Sequence, residues 1–324
     1  MPMKFAVTAA ALAVLTLAAP ARAEDKEWNH AILAAKSDSG YLFMVNKGFA
    51  EKQGLKLTLT QVESDAIGIK ALLAGQVDSY EGSPAGAMIA ASRGADVKVM
   101  GCQWPGLPHG VFVRGGVATP QDLKGKTIAI SQPGAMPDQL IRTLLRKYNV
   151  SVDDVKFANL GGDNDRYKAL AAGVVDGAVI SGEYTPIAEK AGVKLLVAAR
   201  DVLPEYLRIC LMTSGAVEKK RHDELVRFLA AEISAYRFAI AHPDETIVLT
   251  RATANINADD PRPAYIFDDA VKNHSLDPEI GLPADRLNWM QQQSVASGDQ
   301  PKLDDLAIVT DGGPRKEALA RAGN

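Results

Sequence analysis

One pattern in this chain occurs twice, and it restricts the fold more than any other feature. Ala71, Leu72, Ala74, Gly75, Val77 and Asp78 return as Ala169, Leu170, Ala172, Gly173, Val175 and Asp176. Each copy, Ala71–Pro84 and Ala169–Pro186, runs on through a short apolar stretch to a glycine-containing turn, Glu81-Gly82-Ser83 in the first and Ser181-Gly182-Glu183 in the second. A helix can end on such a glycine because glycine takes the left-handed conformation at little steric cost. The apolar stretch then has the length of a buried strand, and the turn carries polar side chains to the start of another helix. Two copies of one such unit imply two similarly built α/β lobes, and two lobes imply a cleft. The bland alternative is the ordinary grammar of any strand–helix protein. In the sharper reading Glu81 and Glu183 are equivalent carboxylates at two strand lips.

The start of the chain stands apart from this pattern. Met1–Lys4 carries one positive charge, 5–19 is almost wholly apolar, and Ala21-Arg22-Ala23 is a small-x-small cleavage site, which together read as a secretory leader over residues 1–23. The apolar run is short for a bilayer span, and no later stretch approaches the roughly 20 apolar residues a span needs. The formal charge is −3 and no basic block is present, so neither nucleic acid nor stable membrane insertion after cleavage is expected. In an oxidising compartment Cys102 and Cys210, both in short apolar runs, are either one long-range disulfide or two buried thiols.

Along the mature chain, strand and helix patterns alternate, which is the grammar of a mostly parallel sheet covered on both faces. A first set runs from the apolar stretch at 30–35 to a strand over 97–103. Trp104-Pro105-Gly106-Leu107-Pro108-His109-Gly110 then breaks the rhythm, and 111–114 reads as a short crossing strand. A second set starts at Asp122-Leu123-Lys124-Gly125-Lys126 and continues to a strand over 194–197. From Leu207 the chain crosses back into a long amphipathic helix over 221–241 and a helical, proline-punctuated tail. One lobe inserted into the other accounts for this order, with residues 24–112 plus 208–324 in lobe 1 and 113–207 in lobe 2.

Four motifs in order carry a resemblance. They are Lys47-Gly48-Phe49-Ala50-Glu51-Lys52-Gln53-Gly54-Leu55, Ala74-Gly75-Gln76-Val77-Asp78, Asp122-Leu123-Lys124-Gly125-Lys126-Thr127-Ile128-Ala129 and Ala172-Gly173-Val174-Val175-Asp176. With them the region from Trp28 to about Ile240 resembles the periplasmic solute-binding proteins of ABC importers, in the nitrate, sulfonate and taurine group that includes the NMT1/THI5-like proteins. The resemblance implies an α/β, two-lobed periplasmic-binding-protein fold of the type II kind, each lobe a mixed, mostly parallel sheet flanked by helices, with a two-strand hinge. It further implies a periplasmic, monomeric binding protein that delivers a small-molecule ligand to ABC transporter permease subunits, with no cofactor. An exported sensor, or an enzyme of the pyrimidine-precursor type on the same fold, is the alternative. The synthase relatives carry a cysteine-rich segment that is absent here.

Ligands of open parallel sheets collect beyond the carboxyl ends of the strands, where helix starts present backbone N–H groups. The strand pattern therefore nominates Ser39, Gly40 and Tyr41, then Glu81, Gly82, Ser83 and Trp104, in the first lobe. In the second it nominates Ser131, Gly134, Ala135, Asp163, Asn164, Gly182, Glu183 and Tyr184. Glycine and serine let backbone approach a small ligand while a single ring covers its face. Ser39, Ser83, Asp163 and Asn164 are equally readable as helix caps and Trp104 as hinge packing. Two cleft carboxylates, Glu81 and Glu183, favour a ligand with an amine, an amidine or several N–H groups. The turn at Pro133-Gly134-Ala135-Met136 has no hydroxyl for an oxyanion, although its backbone amides can hold one. No catalytic residue or metal site is nominated: the chain has no Gly-x-Ser-x-Gly elbow and no phosphate loop, and His30, His109, His222, His242 and His274 are scattered.

Overall fold

The computed structural model describes residues 26–33, 44 and 46–323. Residues 1–23, read above as a secretory leader, and the nominated Ser39, Gly40 and Tyr41 lie outside them. Ten strands form two five-stranded sheets. The first is built from β1 (Lys26–Leu33), β2 (Leu55–Val62), β3 (Ser79–Gly82), β4 (Val97–Trp104) and β10 (Ile209–Ser214) in the order β2-β1-β3-β10-β4. The second holds β5 (His109–Arg114), β6 (Thr127–Ile130), β7 (Lys156–Asn159), β8 (Gly177–Ser181) and β9 (Val193–Ala198) in the order β7-β6-β8-β5-β9. The two orders are the same pattern. In each, three strands pair in parallel, and the one strand received from the other half of the molecule, β10 or β5, runs antiparallel.

The doubled sequence unit explains this match atom by atom. Both helices, Asp65–Leu73 and Asp163–Ala171, end on a left-handed glycine, Gly75 at φ +69° and Gly173 at φ +77°. The next amide in each reaches back to close the end, Gln76 N to Ala71 O at 2.9 Å and Val174 N to Ala169 O at 2.9 Å. Two residues on, Asp78 accepts a hydrogen bond from Asn29 N at 2.8 Å while its own amide donates to Asn29 O at 2.8 Å. Asp176 repeats the exchange with Thr127, at 2.8 Å and 2.9 Å. Each aspartate thus fixes where β3 or β8 begins against its neighbour, and a one-residue slip would turn every side chain to the wrong face.

Central strands β3 and β10 are buried along their whole length, as strands covered on both faces must be. Helix His222–Ala241 covers one face of the first sheet, where Trp28 stacks on Phe228 at 5.2 Å. The other face belongs to an apolar cluster that continues through Leu107, Leu203 and Leu207 into the second sheet. Among the described residues no helix is long and apolar enough to cross a membrane.

Two positions in the sequence reading are corrected here. The first lobe boundary, expected at 112/113, falls inside β5, which pairs only with β8 and β9; the crossing is the irregular stretch at 105–108. The C-terminal tail also does more than extend the first lobe. It shields edge strand β4, with Cys102 N donating to Gly281 O at 2.8 Å and Val99 N to Val309 O at 2.7 Å. Its helix Arg262–Lys272 crosses to the second half of the molecule, where Arg262 lies 5.4 Å over the Tyr184 ring and Asp269 pairs with Arg200 at 3.4 Å.

Of the two readings of the cysteines, the structure shows the disulfide. Cys102–Cys210 joins β4 to β10, the strands that leave and re-enter the first sheet, across a sequence separation of 108. In the chain-entropy view a loop of that length contributes about 4–5 kcal/mol, with native strain reducing it. Urea unfolding of the C102S/C210S double variant is expected to show a loss of roughly 2–5 kcal/mol, and a loss below ~1 kcal/mol would mean that the sheet holds the hinge strands unaided.

Candidate functional site

The crossing at 105–108 connects the carboxyl tip of β4 to β5, whose first residue His109 is paired with Ser181 at the carboxyl tip of β8. The carboxyl edges of the two sheets therefore face one another across the crossing segments. The segments that leave β2, β3, β6, β7 and β8 each lead into a helix or 3-10 start.

In the first half, Asp65 opens helix Asp65–Leu73 and its Oδ1 accepts from Ser83 N at 2.8 Å and from the Tyr80 hydroxyl at 2.6 Å. Burial raises the Asp65 pKa against these two hydrogen bonds. In the second half, Asp163 does the same to Ser181 N at 2.9 Å, over the same separation of 18 residues, and takes Arg166 Nη2 at 2.8 Å in place of the tyrosine. Arg166 is itself held by the carbonyls of Val179 and Gly161. The loop after β6 follows the same rule: Asp138, buried in the first turn of helix Met136–Lys147, accepts from Gly134 N at 2.9 Å and from Arg142 Nε at 2.7 Å.

The nominated residues divide accordingly. Ser83 caps helix Pro84–Ser92 and meets the Tyr206 hydroxyl. Gly134 is exposed at φ +77°, and Ser131, Ala135 and Asn164 sit with it at the rim of the second lobe. Glu183, half-buried, follows β8 in a 3-10 turn. Several others are structural. A Cβ at Gly82 would lie 2.2 Å from the Tyr80 hydroxyl, so this glycine makes room for the Tyr80–Asp65 pair. Gly182 donates to Pro108 O at 2.6 Å and so ties the crossing segment to β8. Trp104 is 4% exposed, packed with Ile209, Tyr236, Ala270 and Leu276 under Arg208 at 5.3 Å. The cavity beside it, lined with Thr246, Thr250 and Ile266, measures about 10 Å³, room for one water at most. Tyr184 is 3% exposed and stacked on Tyr167 at 4.4 Å. Both rings are packed inside the protein.

The equivalence of Glu81 and Glu183 is also corrected. Glu81 lies inside β3, paired with Ile32 and Leu211 and 2% exposed, where it accepts from Gln103 Nε2 at 2.8 Å and faces His30. The repeat of the lock, Asp65 with Asp163 and Ser83 with Ser181, puts Val179 at the position of Glu81 and Ala85 at that of Glu183. Sequence reasoning had no pattern for Asp138, Arg208 or Arg262; for Asp65 and Asp163 the signal was there, since both precede their echo by the same interval.

A family model described as NMT1/THI5 like matches residues 37–246. This chain belongs to the NMT1/THI5-like family. Among solved structures, the periplasmic aliphatic sulphonate binding protein SsuA from Escherichia coli superposes with a TM-score of 0.70 at 19% identity, covering 87% of this chain and 96% of that one. The alkanesulfonate-binding protein SsuA from Xanthomonas axonopodis pv. citri, bound to MOPS, gives 0.68 at 18%, covering 90% and 100%. The desulfurization enzyme DSZB gives 0.70 at 15%, covering 91% and 99%. No curated protein matches the sequence. At these identities the likeness is one of fold: this NMT1/THI5-like chain has the periplasmic-binding-protein fold.

The hinge of this fold is held at one further point. Arg286, on a helix packed against Pro84–Ser92, spreads its guanidinium over carbonyls of both crossing segments, Glu205 at 3.2 Å, Pro204 at 2.7 Å, Tyr206 at 3.0 Å, and Pro105. Its planar fork suits several carbonyls at once, which a lysine cannot match. Arg286→Ala is expected to cost about 1.5–3 kcal/mol and to broaden the ligand-free distance distribution in small-angle scattering, with Arg286→Lys recovering only part; a profile unchanged in both variants would show that the crossing strands alone set the hinge.

His109, at the start of β5, has an Nδ1 with no hydrogen-bond partner among the described residues. Burial pushes its pKa down to about 4, against the field of Asp163 and with those of Arg208 and Arg166. The unfolded chain binds this proton near pH 6.5, so the folded form loses stability as pH falls from about 6.5 towards 4. Glu218, which burial and a hydrogen bond to Asp311 push up to about 7, has the opposite sign and loses its contribution as pH rises through that value. Stability curves of His109→Gln are expected to be flatter than those of the parent between pH 4 and 6.5, with the Glu218 contribution common to both; parallel curves would mean that His109 titrates normally.

Proposed function

We propose that this protein is the exported substrate-binding component of an ABC-type uptake system, capturing a small organic solute between its lobes and handing it to membrane permease subunits. One observation carries the reading: two sheets of matching strand order turn their carboxyl edges towards each other across two crossing segments, so that loops of both lobes meet around one gap. Membership of the NMT1/THI5-like family and the fold shared with sulfonate-binding proteins support it. The leader-like residues 1–23 and the disulfide support export, since disulfides persist in oxidising compartments. The lobes divide near 105–108 and 199–208, with the first lobe discontinuous in sequence. The role is read as binding rather than catalysis, as in the sulfonate-binding proteins that share the fold.

In this mechanism a solute touches one lobe, then gains contacts to the other, and the closed form is what the permease recognises. Binding shifts that balance only through a difference in affinity between the open and closed forms. A micromolar complex corresponds to about 8 kcal/mol, within reach of a few hydrogen bonds after ordering costs. Native mass spectrometry of gently purified protein is expected to show a small molecule released unchanged on denaturation, and its re-addition should compact the protein in small-angle scattering. A chemically altered molecule would point to an enzyme, and no bound or re-bindable molecule at all would sink the transport reading.

A further inference from the structure

Resting on the reading of the cleft as a solute site, we propose that the solute binds as a hydrogen-bond donor, a cationic amine or amidine or an N–H-rich heterocycle, with Glu183 as its principal acceptor, and that oxyanions are rejected. The argument starts from which polar groups around the cleft are already engaged. A sulfonate or carboxylate would be held by backbone amides at helix starts, where the dipole favours negative charge. Here three amides on the approach to these helix starts are occupied by the protein's own carboxylates: Ser83 N by Asp65, Ser181 N by Asp163 and Gly134 N by Asp138. An incoming oxyanion would displace a carboxylate already in place and then sit beside it.

The cations are engaged as well. Arg262 is held by Asp260 through Nε at 3.0 Å and Nη2 at 2.7 Å, and Arg142 by Asp138 with its guanidinium 4.7 Å over the Phe157 ring. Arg166 is bound to two carbonyls and Asp163, and Arg208 lies against Trp104.

What remains open is a set of acceptors. The Glu183 amide donates to Ser181 Oγ at 3.3 Å, but its carboxylate has no hydrogen bond or ion pair with any described residue, although it is half-buried just past the carboxyl tip of β8. Burial raises its pKa; the fields of Arg262 and Arg208 oppose that rise and those of Asp163 and Asp260 add to it. Near the carboxyl tip of β4, fully buried Gln103 spends an amide N–H on Glu81 and leaves Oε1 without a partner among the described residues. His109 Nδ1, beside Ser181, is likewise open. A buried acceptor without a donor is costly, and a ligand that supplies N–H groups removes that cost.

The test is calorimetric titration and thermal shift of the purified full chain with four probes: putrescine, benzamidine, a 4-aminopyrimidine and ethanesulfonate. The expected result is binding by at least one of the three donor probes, none by ethanesulfonate, and a loss of tenfold or more in affinity for that donor in Glu183→Gln, whose circular dichroism and melting midpoint stay close to the parent's. Binding of ethanesulfonate with the donors silent overturns this inference and leaves the solute-binding reading standing. Unchanged donor affinity in Glu183→Gln overturns the assignment of Glu183. Silence from all four probes together with no small molecule retained on purification overturns both readings at once.

Discussion

The structure depends on an aspartate that exchanges two hydrogen bonds with a single residue of the adjoining strand. Asp78 does this with Asn29, and Asp176 with Thr127. The exchange sets the register of β3 and β8, and register determines which side chains stand at the carboxyl tips. Because the preceding helices end on left-handed glycines, each strand enters at the same angle, and the loop beyond its tip lies within reach of the next helix start. The second lock, Asp65 to Ser83 and Asp163 to Ser181, depends on that reach. Two short-range constraints, repeated once, thus build a pseudo-symmetric pair of cleft walls.

Symmetry ends where the chain leaves the repeat. The C-terminal tail serves only one of the two sheets directly, covering β4, but it also clamps the crossing segments through Arg286 and crosses to the second lobe through helix Arg262–Lys272. Its contacts to both sides of the gap make the resting separation of the lobes a property of the tail as much as of the hinge. The disulfide works on the same region from inside the sheet, binding the two strands whose ends become the crossings.

The fold was legible in the sequence because its determinants are local. A glycine stop, an apolar run and an aspartate at a fixed interval can be read without knowing what touches what. The site was less legible for the opposite reason. Glu81 and Glu183 look alike when the echoes are aligned by their turns, yet one is an interior strand residue bonded to Gln103 and the other a turn residue, because Glu81 lies two residues before the locked Ser83 and Glu183 two residues after the locked Ser181. Trp104 and Tyr184 have the composition of ligand-covering rings, but tertiary packing from a tail 80 to 170 residues downstream buries them. Asp138 reads as an ordinary first-turn acid until the turn at Gly134 is seen to fold back on it.

These facts bear on how fold and ligand are related in this family. A two-lobed frame with helix starts facing a gap is equipped by default for anions, since every such start offers unpaired amides and a positive dipole end. Carboxylates of the chain's own set beside those starts, as Asp65, Asp138 and Asp163 are here, work against an anion without changing a single strand. The change uses residues that also stabilise the loops, so one set of hydrogen bonds both holds the cleft walls in shape and sets the sign of the charge they present. A neighbour with the same frame and a sulfonate in its name therefore predicts the architecture of this chain but not its solute, and the ligand must be argued from which donors and acceptors the walls leave open.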